Sequence, residues 1–510
     1  DNITMTINKT KKNMKKDVKI KKGIQDLGVC KKNASFQDCE LAILRSAVDT
    51  ASTQMGRKMV NSPEVQDMLV TVEDFLKKKN LVCYGGIAIN ALLPENEKIY
   101  NKDVELSDYD FFSAHALDDA KELADIYYKK GYKEVDARSG AHHGTYKVFV
   151  NFLGVADITS IPLELFNVLR KEAVRVNGIL YCPPNYLRMA MYLELSRPAG
   201  DVSRWEKVMK RLSLINKHYP LNPKQCSTID FQREMSNHQK ESEIYETVRD
   251  VFIHQGCIFF GGYAISMYAE YMPTNLRTKL KKIPDFDVLS EEPETTIEIL
   301  KERLKDIGEK HVKVIKHSPV GEIIPDHYEI KVNNDTVAFI YKPIACHSYN
   351  EISNKQHHQH IRIATIDTML SFYLAFLYAD KPYYDPDRII CMSKYLFDVQ
   401  QKNRLEQKGL LKRFSISCYG HQQTLEEMRA EKTEKFKELS SKRGSKEFEE
   451  WFLSYRPGQS NNSSKLKQFI SRKYRSSNKN THKNTNKRWR YKNSTTLKRK
   501  KLDWRNFLKK

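Results

Sequence analysis

Apolar residues recur at intervals of three and four from Phe36 to about Gln54, and again from Ser62 to Lys79, where Val65, Met68, Leu69, Val72, Phe75 and Leu76 make one stripe. That period predicts two amphipathic helices. Asn61-Ser62-Pro63-Glu64 supplies the second with a cap and a first-turn proline. An apolar run, Leu81-Val82-Cys83-Tyr84, then breaks at Gly85-Gly86 and continues as a short helix to Leu93. In Ser107-Asp108-Tyr109-Asp110-Phe111-Phe112 the period falls to two, so Asp108 and Asp110 share one side of a strand. A helix is expected from about Leu117 to Lys130, extended segments over Thr145 to Phe152 and Val155 to Pro162, and helices over Tyr186 to Ser196 and Val202 to Lys217. This alternation predicts an α/β (α+β) class, a small mixed sheet flanked by helices.

The pattern then repeats. After a predicted helix over Glu243 to Ile253 and a strand over Gly256 to Phe260, Gly261-Gly262-Tyr263-Ala264-Ile265-Ser266 echoes Gly85 to Asn90, and Pro284-Asp285-Phe286-Asp287 echoes the Asp108/Asp110 strand. The second glycine and first aspartate are 22 residues apart in the first copy and 23 in the second, which indicates an internal duplication. Aligning Gly154-Val155-Ala156-Asp157-Ile158 with Thr336-Val337-Ala338-Phe339-Ile340 puts Phe339 opposite Asp157, so the second copy is expected to keep the fold and lack the chemistry. The domains expected are a basic arm over 1–35, a first copy over 36–225, a degenerate second copy with a helical end over 226–455, and a basic low-complexity tail over 456–510.

Charge sharpens this division. Of a net +22, residues 456–510 carry +18 and residues 1–35 carry +7, leaving the middle at −3. The basicity sits in the ends, where it can meet a polyanion. Aromatics spaced through the tail (Phe469, Tyr474, Trp489, Tyr491, Trp504, Phe507) could stack on unpaired bases; a merely disordered tail is the plain alternative. Nine cysteines without CxxC spacing suggest reduced thiols in a cytosol-like compartment. The absence of an 18-residue apolar run argues against a membrane span. The chain opens at Asp1 without a methionine, which leaves room for an upstream stretch.

Two carboxylates side by side repel, and a fold that juxtaposes them usually places a divalent cation between them. Asp157, alone in an apolar strand, is costly unless such a cation is shared; the plain reading is a strand-end or capping residue. Glycines at 85 and 86 let backbone approach a phosphate closely. Arg204, Lys207 and Arg211 fall on one helical face, either to contact a triphosphate or an RNA backbone, or as a solvated surface. Such a constellation suits two-metal nucleotidyl transfer, in which charge stabilisation dominates and no protein nucleophile is needed.

Gly85-Gly86, Ser107-Asp108-Tyr109-Asp110 and Asp157 resemble the DNA polymerase β nucleotidyltransferase superfamily. With the duplication and Tyr192-Leu193-Glu194-Leu195-Ser196-Arg197-Pro198, the chain over roughly residues 60–400 is similar to the poly(A) polymerase catalytic subunits of large nucleocytoplasmic DNA viruses, the poxvirus type included. The resemblance implies two tandem nucleotidyltransferase-like domains, ATP as donor, an RNA 3′ end as acceptor, Mg²⁺ or Mn²⁺, and no template. It implies Asp108, Asp110 and Asp157 as catalytic metal ligands, with Gly85, Gly86, Ser107, Arg204 and Lys207 toward the nucleotide. Many superfamily members follow the first glycine with a serine that holds phosphate; here Gly86 stands there, so backbone amides or Ser107 are expected to do more. Processivity is left to a homodimer or a separate subunit, and the location implied is the host cytoplasm, in the viral factory, and the virion. Other RNA nucleotidyltransferases (uridylyl or CCA type) and a silent RNA-binding scaffold are the alternatives. Deleting residues 457–510 is expected to weaken RNA affinity and flatten its dependence on salt concentration, as read by fluorescence anisotropy across a salt series.

Overall fold

The computed structural model describes residues 35–100, 108–223, 226, 229, 235–236, 240–280, 285–354 and 359–458. Ser107, the arm over 1–34 and the tail from 459 lie outside the described residues. The described residues up to Pro457 belong to one compact unit.

The two helices at the start are those the periodicity predicts, the first longer than expected, at Phe36–Val60, and the second at Pro63–Lys79. Ser62 caps the second by accepting the Val65 N–H at 3.2 Å, and Asn80 ends it in the left-handed region at φ 51°. The first sheet holds β1 (Val82–Cys83), β2 (Tyr109–Ser113), β3 (Val135–Ser139), β4 (Thr145–Val150), β5 (Leu153–Ser160), β6 (Val174–Val176) and β7 (Ile179–Tyr181). The second holds β8 (Ile258–Phe259), β9 (Phe286–Leu289), β10 (Val312–His317), β11 (His327–Val332), β12 (Asp335–Tyr341), β13 (His347–Asn354), β14 (Gln359–Ala364) and β15 (Cys418–Tyr419). A last short strand, β16 (Ser454–Tyr455), joins the first sheet.

The strand orders match one for one. The first sheet runs β16-β3-β4-β5-β2-β1-β7-β6 and the second β10-β11-β12-β9-β8-β14-β13-β15. Each copy therefore has the same seven-strand mixed sheet, with one extra strand on opposite edges. The hairpin β6–β7 is absent from the sequence-based elements although its signal was in the chain. Asn177-Gly178, both at positive φ (50° and 84°), is the dipeptide that a tight hairpin turn demands.

The copies meet through equivalent helices: Pro184–Leu195, which follows β7, packs on Ile366–Phe376, which follows β14. A buried polar network crosses beneath them. The Tyr192 hydroxyl donates to Gln400 Oε1 at 3.0 Å, Gln400 donates to Asp367 Oδ1 at 3.3 Å, and Arg413 donates to both Asp367 oxygens at 2.8–3.0 Å.

Two expectations need correction. The segment over 425–455, expected as the helical end of the second copy, packs on the first: β16 pairs with β3, Lys121 donates to Glu449 at 2.6 Å, and the Tyr455 hydroxyl donates to Asp125 at 2.7 Å. The cysteines are not all reduced thiols. Cys226–Cys391 and Cys346–Cys418 are disulfides, with Cα atoms 5.5 and 5.1 Å apart. Partners 165 and 72 residues apart in sequence carry no local spacing signal, because only the tertiary fold brings them together. Cys39, Cys83, Cys182 and Cys257 are free and buried.

Asp367 and Arg413 are both buried, so leaving one charge unpaired there is expensive. Arg413→Met is expected to cost about 3–5 kcal/mol in a urea titration, and Asp367→Leu combined with it should cost clearly less than the sum of the singles.

Candidate functional site

Parallel pairing of β2 with β5 puts Asp110 directly opposite Asp157, so both side chains leave the same face of the sheet. The opposite face of β2 is spoken for: the Tyr109 hydroxyl donates to Glu73 at 2.6 Å, and Phe111 is buried against Phe75 of the helix Pro63–Lys79. That assignment forces Asp110 outward. Asp108 lies just before β2, exposed, with Oδ2 3.9 Å from where a Cβ on Gly154 would stand.

The glycine turn closes on this row. Gly85 has φ +67°, a conformation side chains resist, and a Cβ there would lie 3.0 Å from Asp110 Oδ2. The Tyr84 N–H donates to the Asp110 carbonyl at 2.9 Å, tying the turn to β2. Gly85 and Gly86 are the first two residues of the helix Gly85–Leu92. A methyl at Gly86 would overlap the Tyr100 hydroxyl and stand 3.0 Å from Arg211 Nη2.

Electrostatics follow from this crowding. Burial first, then the Asp108 and Asp157 carboxylates, push the Asp110 carboxyl up to about 7, against the pull of Lys147 and Arg211. Burial also raises Asp157, opposed by Lys147. Lys147 is directly across from Asp157 on β4 and donates to its Oδ2. Beyond Asp157 on the same face, Thr159 Oγ1 is within 2.9 Å of the Tyr84 hydroxyl and 3.2 Å of Thr145 Oγ1.

The three sequence-predicted carboxylates are thus neighbours that feel one another. Among the described residues no group of three acidic, histidine or cysteine side chains is already gathered as a metal cage. Asp157 is turned to Lys147, whose ammonium stands where a cation would be wanted; hard carboxylate oxygens on one open face are a donor set suited to Mg²⁺ or Mn²⁺. Of the basic helix face, Arg204 is engaged by Glu194 at 3.2 Å, Lys207 is exposed, and Arg211 is the member that reaches the Gly86 turn. Sequence reasoning missed Lys147, Tyr100 and the separate standing of Arg211. The period-two placement of Lys147 on β4 was a usable signal only with the β4–β5 register in hand.

The second copy's equivalent face is filled. Asp287 pairs with Phe339 as Asp110 pairs with Asp157, and Glu329 takes the place of Lys147. Tyr383 stacks on Phe339 at 5.3 Å, the Tyr341 and Tyr384 hydroxyls are 2.8 Å apart, and Tyr384 stacks on Phe376 at 4.2 Å. Asp285 and Asp287 are themselves buried.

A duplicated mixed sheet, with neighbouring carboxylates and a glycine turn on the open face of one copy, defines a nucleotidyltransferase-like fold. Residues 70–201 match the family described as poly(A) polymerase catalytic subunit. Over 172 residues the chain is 36% identical to the putative poly(A) polymerase catalytic subunit of African swine fever virus (strain Badajoz 1971 Vero-adapted), covering 32% of this chain and 36% of that one. The Acanthamoeba polyphaga mimivirus protein of the same description is 29% identical over 187 residues, covering 36% and 30%. The match thus spans about a third of the length of these curated relatives. The Megavirus polyadenylate synthase crystal structure superposes with a TM-score of 0.70 at 19% identity, covering 91% of this chain and 92% of that one, so the likeness of fold extends through both copies.

A carboxyl raised by the fold favours the folded state below its unfolded pKa, and that contribution is lost as pH rises through the folded value. In the metal-free protein the stability gap between Asp110→Asn and wild type should therefore be small near pH 4 and widen to a plateau above about 7, as measured by urea midpoints with chelator present. Adding Mn²⁺ at pH 7.5 should stabilise wild type more than the variant.

Proposed function

We propose that the chain is the catalytic subunit of a template-independent poly(A) polymerase that transfers AMP from ATP to an RNA 3′ end. The observation that carries this reading is the lateral pair Asp110/Asp157 beside the Gly85 turn in the first copy, set against Phe339 and its aromatic plug in the second. The names of the viral relatives over the same segment support adenylate as the unit transferred.

In this reading Asp108, Asp110 and Asp157 are the ligands of a divalent cation, Mg²⁺ or Mn²⁺, and Lys147 withdraws from Asp157 when the cation arrives. Such a cation would supply positive charge against the phosphoryl oxygens and lower the pKa of the attacking hydroxyl. The chain's own part is positional. The Gly85-Gly86 turn sets the start of a helix next to the carboxylates, where the triphosphate would lie. The open sheet face beyond Asp157 offers Thr159, Thr145 and the Tyr84 hydroxyl to a ribose. The second copy serves as a structural partner, and the basic tail, outside the described residues, as an RNA contact. We assign the work to the host cytoplasm, in the viral factory, and to the virion.

Purified protein given an RNA ending in oligo(A) and each nucleoside triphosphate separately should extend the RNA with ATP. Asp110→Ala should abolish extension and leave RNA binding intact, whereas Asp287→Asn should extend at close to the wild-type rate. Equal use of all four nucleotides would favour a less selective transferase, and no extension with either Mg²⁺ or Mn²⁺ would leave the scaffold reading.

A further inference from the structure

The Gly86 turn is not bare. Tyr100 lays its hydroxyl in the space that a side chain on residue 86 would occupy. Arg211, from the helix Trp205–His218, donates through Nη2 to that hydroxyl, and its guanidinium lies 5.6 Å from the Tyr100 ring centre. The tyrosine is held there from behind. Asn90, buried on the helix Gly85–Leu92, accepts the backbone N–H of Ile99 at 2.9 Å and of Tyr100 at 3.0 Å. One side chain thus fixes the distance between the turn and the strap that crosses it.

The chemistry of the pair is that of an anion grip. A phenol that accepts a hydrogen bond from a guanidinium keeps its own O–H to donate, and an arginine carries five N–H donors, of which the tyrosine takes one. Both lie beside a helix opening whose first backbone N–H groups have no partner within the helix. The carboxylates are close by, Asp110 Oδ2 standing 3.0 Å from the Cβ position of the neighbouring Gly85. Glycine at 86 is therefore a steric requirement: any Cβ would expel the tyrosine.

We propose that Tyr100 and Arg211 together hold the triphosphate of the incoming nucleotide at Gly86, the phenol supplying the donor that residue 86 cannot, with Asn90 as the positioning residue that keeps Tyr100 in place. This rests on the transferase reading above and deepens it. It moves the role that the sequence assigned to Ser107 or to backbone amides onto a side chain fourteen residues beyond the glycine.

The test is calorimetric titration of the full chain, without RNA, with ATP plus Mg²⁺ and separately with inorganic tripolyphosphate. Tyr100→Phe, which keeps the ring and loses the donor, should weaken both by about tenfold with an unchanged urea midpoint. Tyr100→Ala should weaken them at least as much, and adding Gly86→Ser to that variant, which returns a hydroxyl to the vacated space, should recover a large part of the loss. A merely structural tyrosine would not be rescued this way. Wild-type affinity in Tyr100→Phe, or no gain from Gly86→Ser over Tyr100→Ala alone, overturns the proposal while leaving the transferase reading intact. Wild-type protein that binds neither ligand overturns both.

Discussion

Two strands running in parallel, in register, put two carboxylates side by side on a half-buried sheet face, and much of the first copy is arranged around the cost of that act. Asp110 answers by holding its proton more tightly than an ordinary aspartate. Asp157 answers by taking Lys147 as a counter-ion. Neither solution removes the strain of placing like charges together, and both are reversible, which is what a site meant to receive a cation requires. The opposite face of the same strands is packed without compromise, with Phe111 and Ala156 fully buried, so the sheet cannot relax by turning the carboxylates away.

The second copy illustrates what happens when the constraint is lifted. With Phe339 in the third position the repulsive cluster is gone, and the vacated face is taken over by aromatic packing from Tyr383, Tyr384 and Phe376. Its glycine turn is drawn so close to Asp287 that a Cβ on Gly261 would overlap the carboxylate. Loss of one ligand and closure of the pocket are two aspects of a single repacking, in which apolar burial replaces charge.

Much of this was legible in the sequence, for identifiable reasons. Periods of two and 3.6 located the helices and the β2 strand because those elements bury one face, and the repeated glycine-to-aspartate spacing exposed the duplication without any structure. The row Asp108, Asp110 and Asp157 was readable because each residue type is out of place in its local pattern. What was not readable depends on contacts between distant segments. Lys147 gains its meaning from strand register, the cystines from tertiary proximity, and the return of β16 to the first sheet from topology. Tyr100 sits in a polar stretch with no period at all, so only its position over Gly86 distinguishes it.

The helices through which the copies meet occupy the same place in each: Pro184–Leu195 after β7 and Ile366–Phe376 after β14. An interface made from one element and its own counterpart has the form of a symmetric dimer contact enclosed within a single chain. Such a contact is self-complementary, and in the second copy its helix also lends Phe376 to the aromatic packing beside Tyr384. The element that joins the halves is thus also one that fills the sheet face of the silent half. One half was free to trade its charges for a second hydrophobic core while the scaffold it provides to the other half stayed whole.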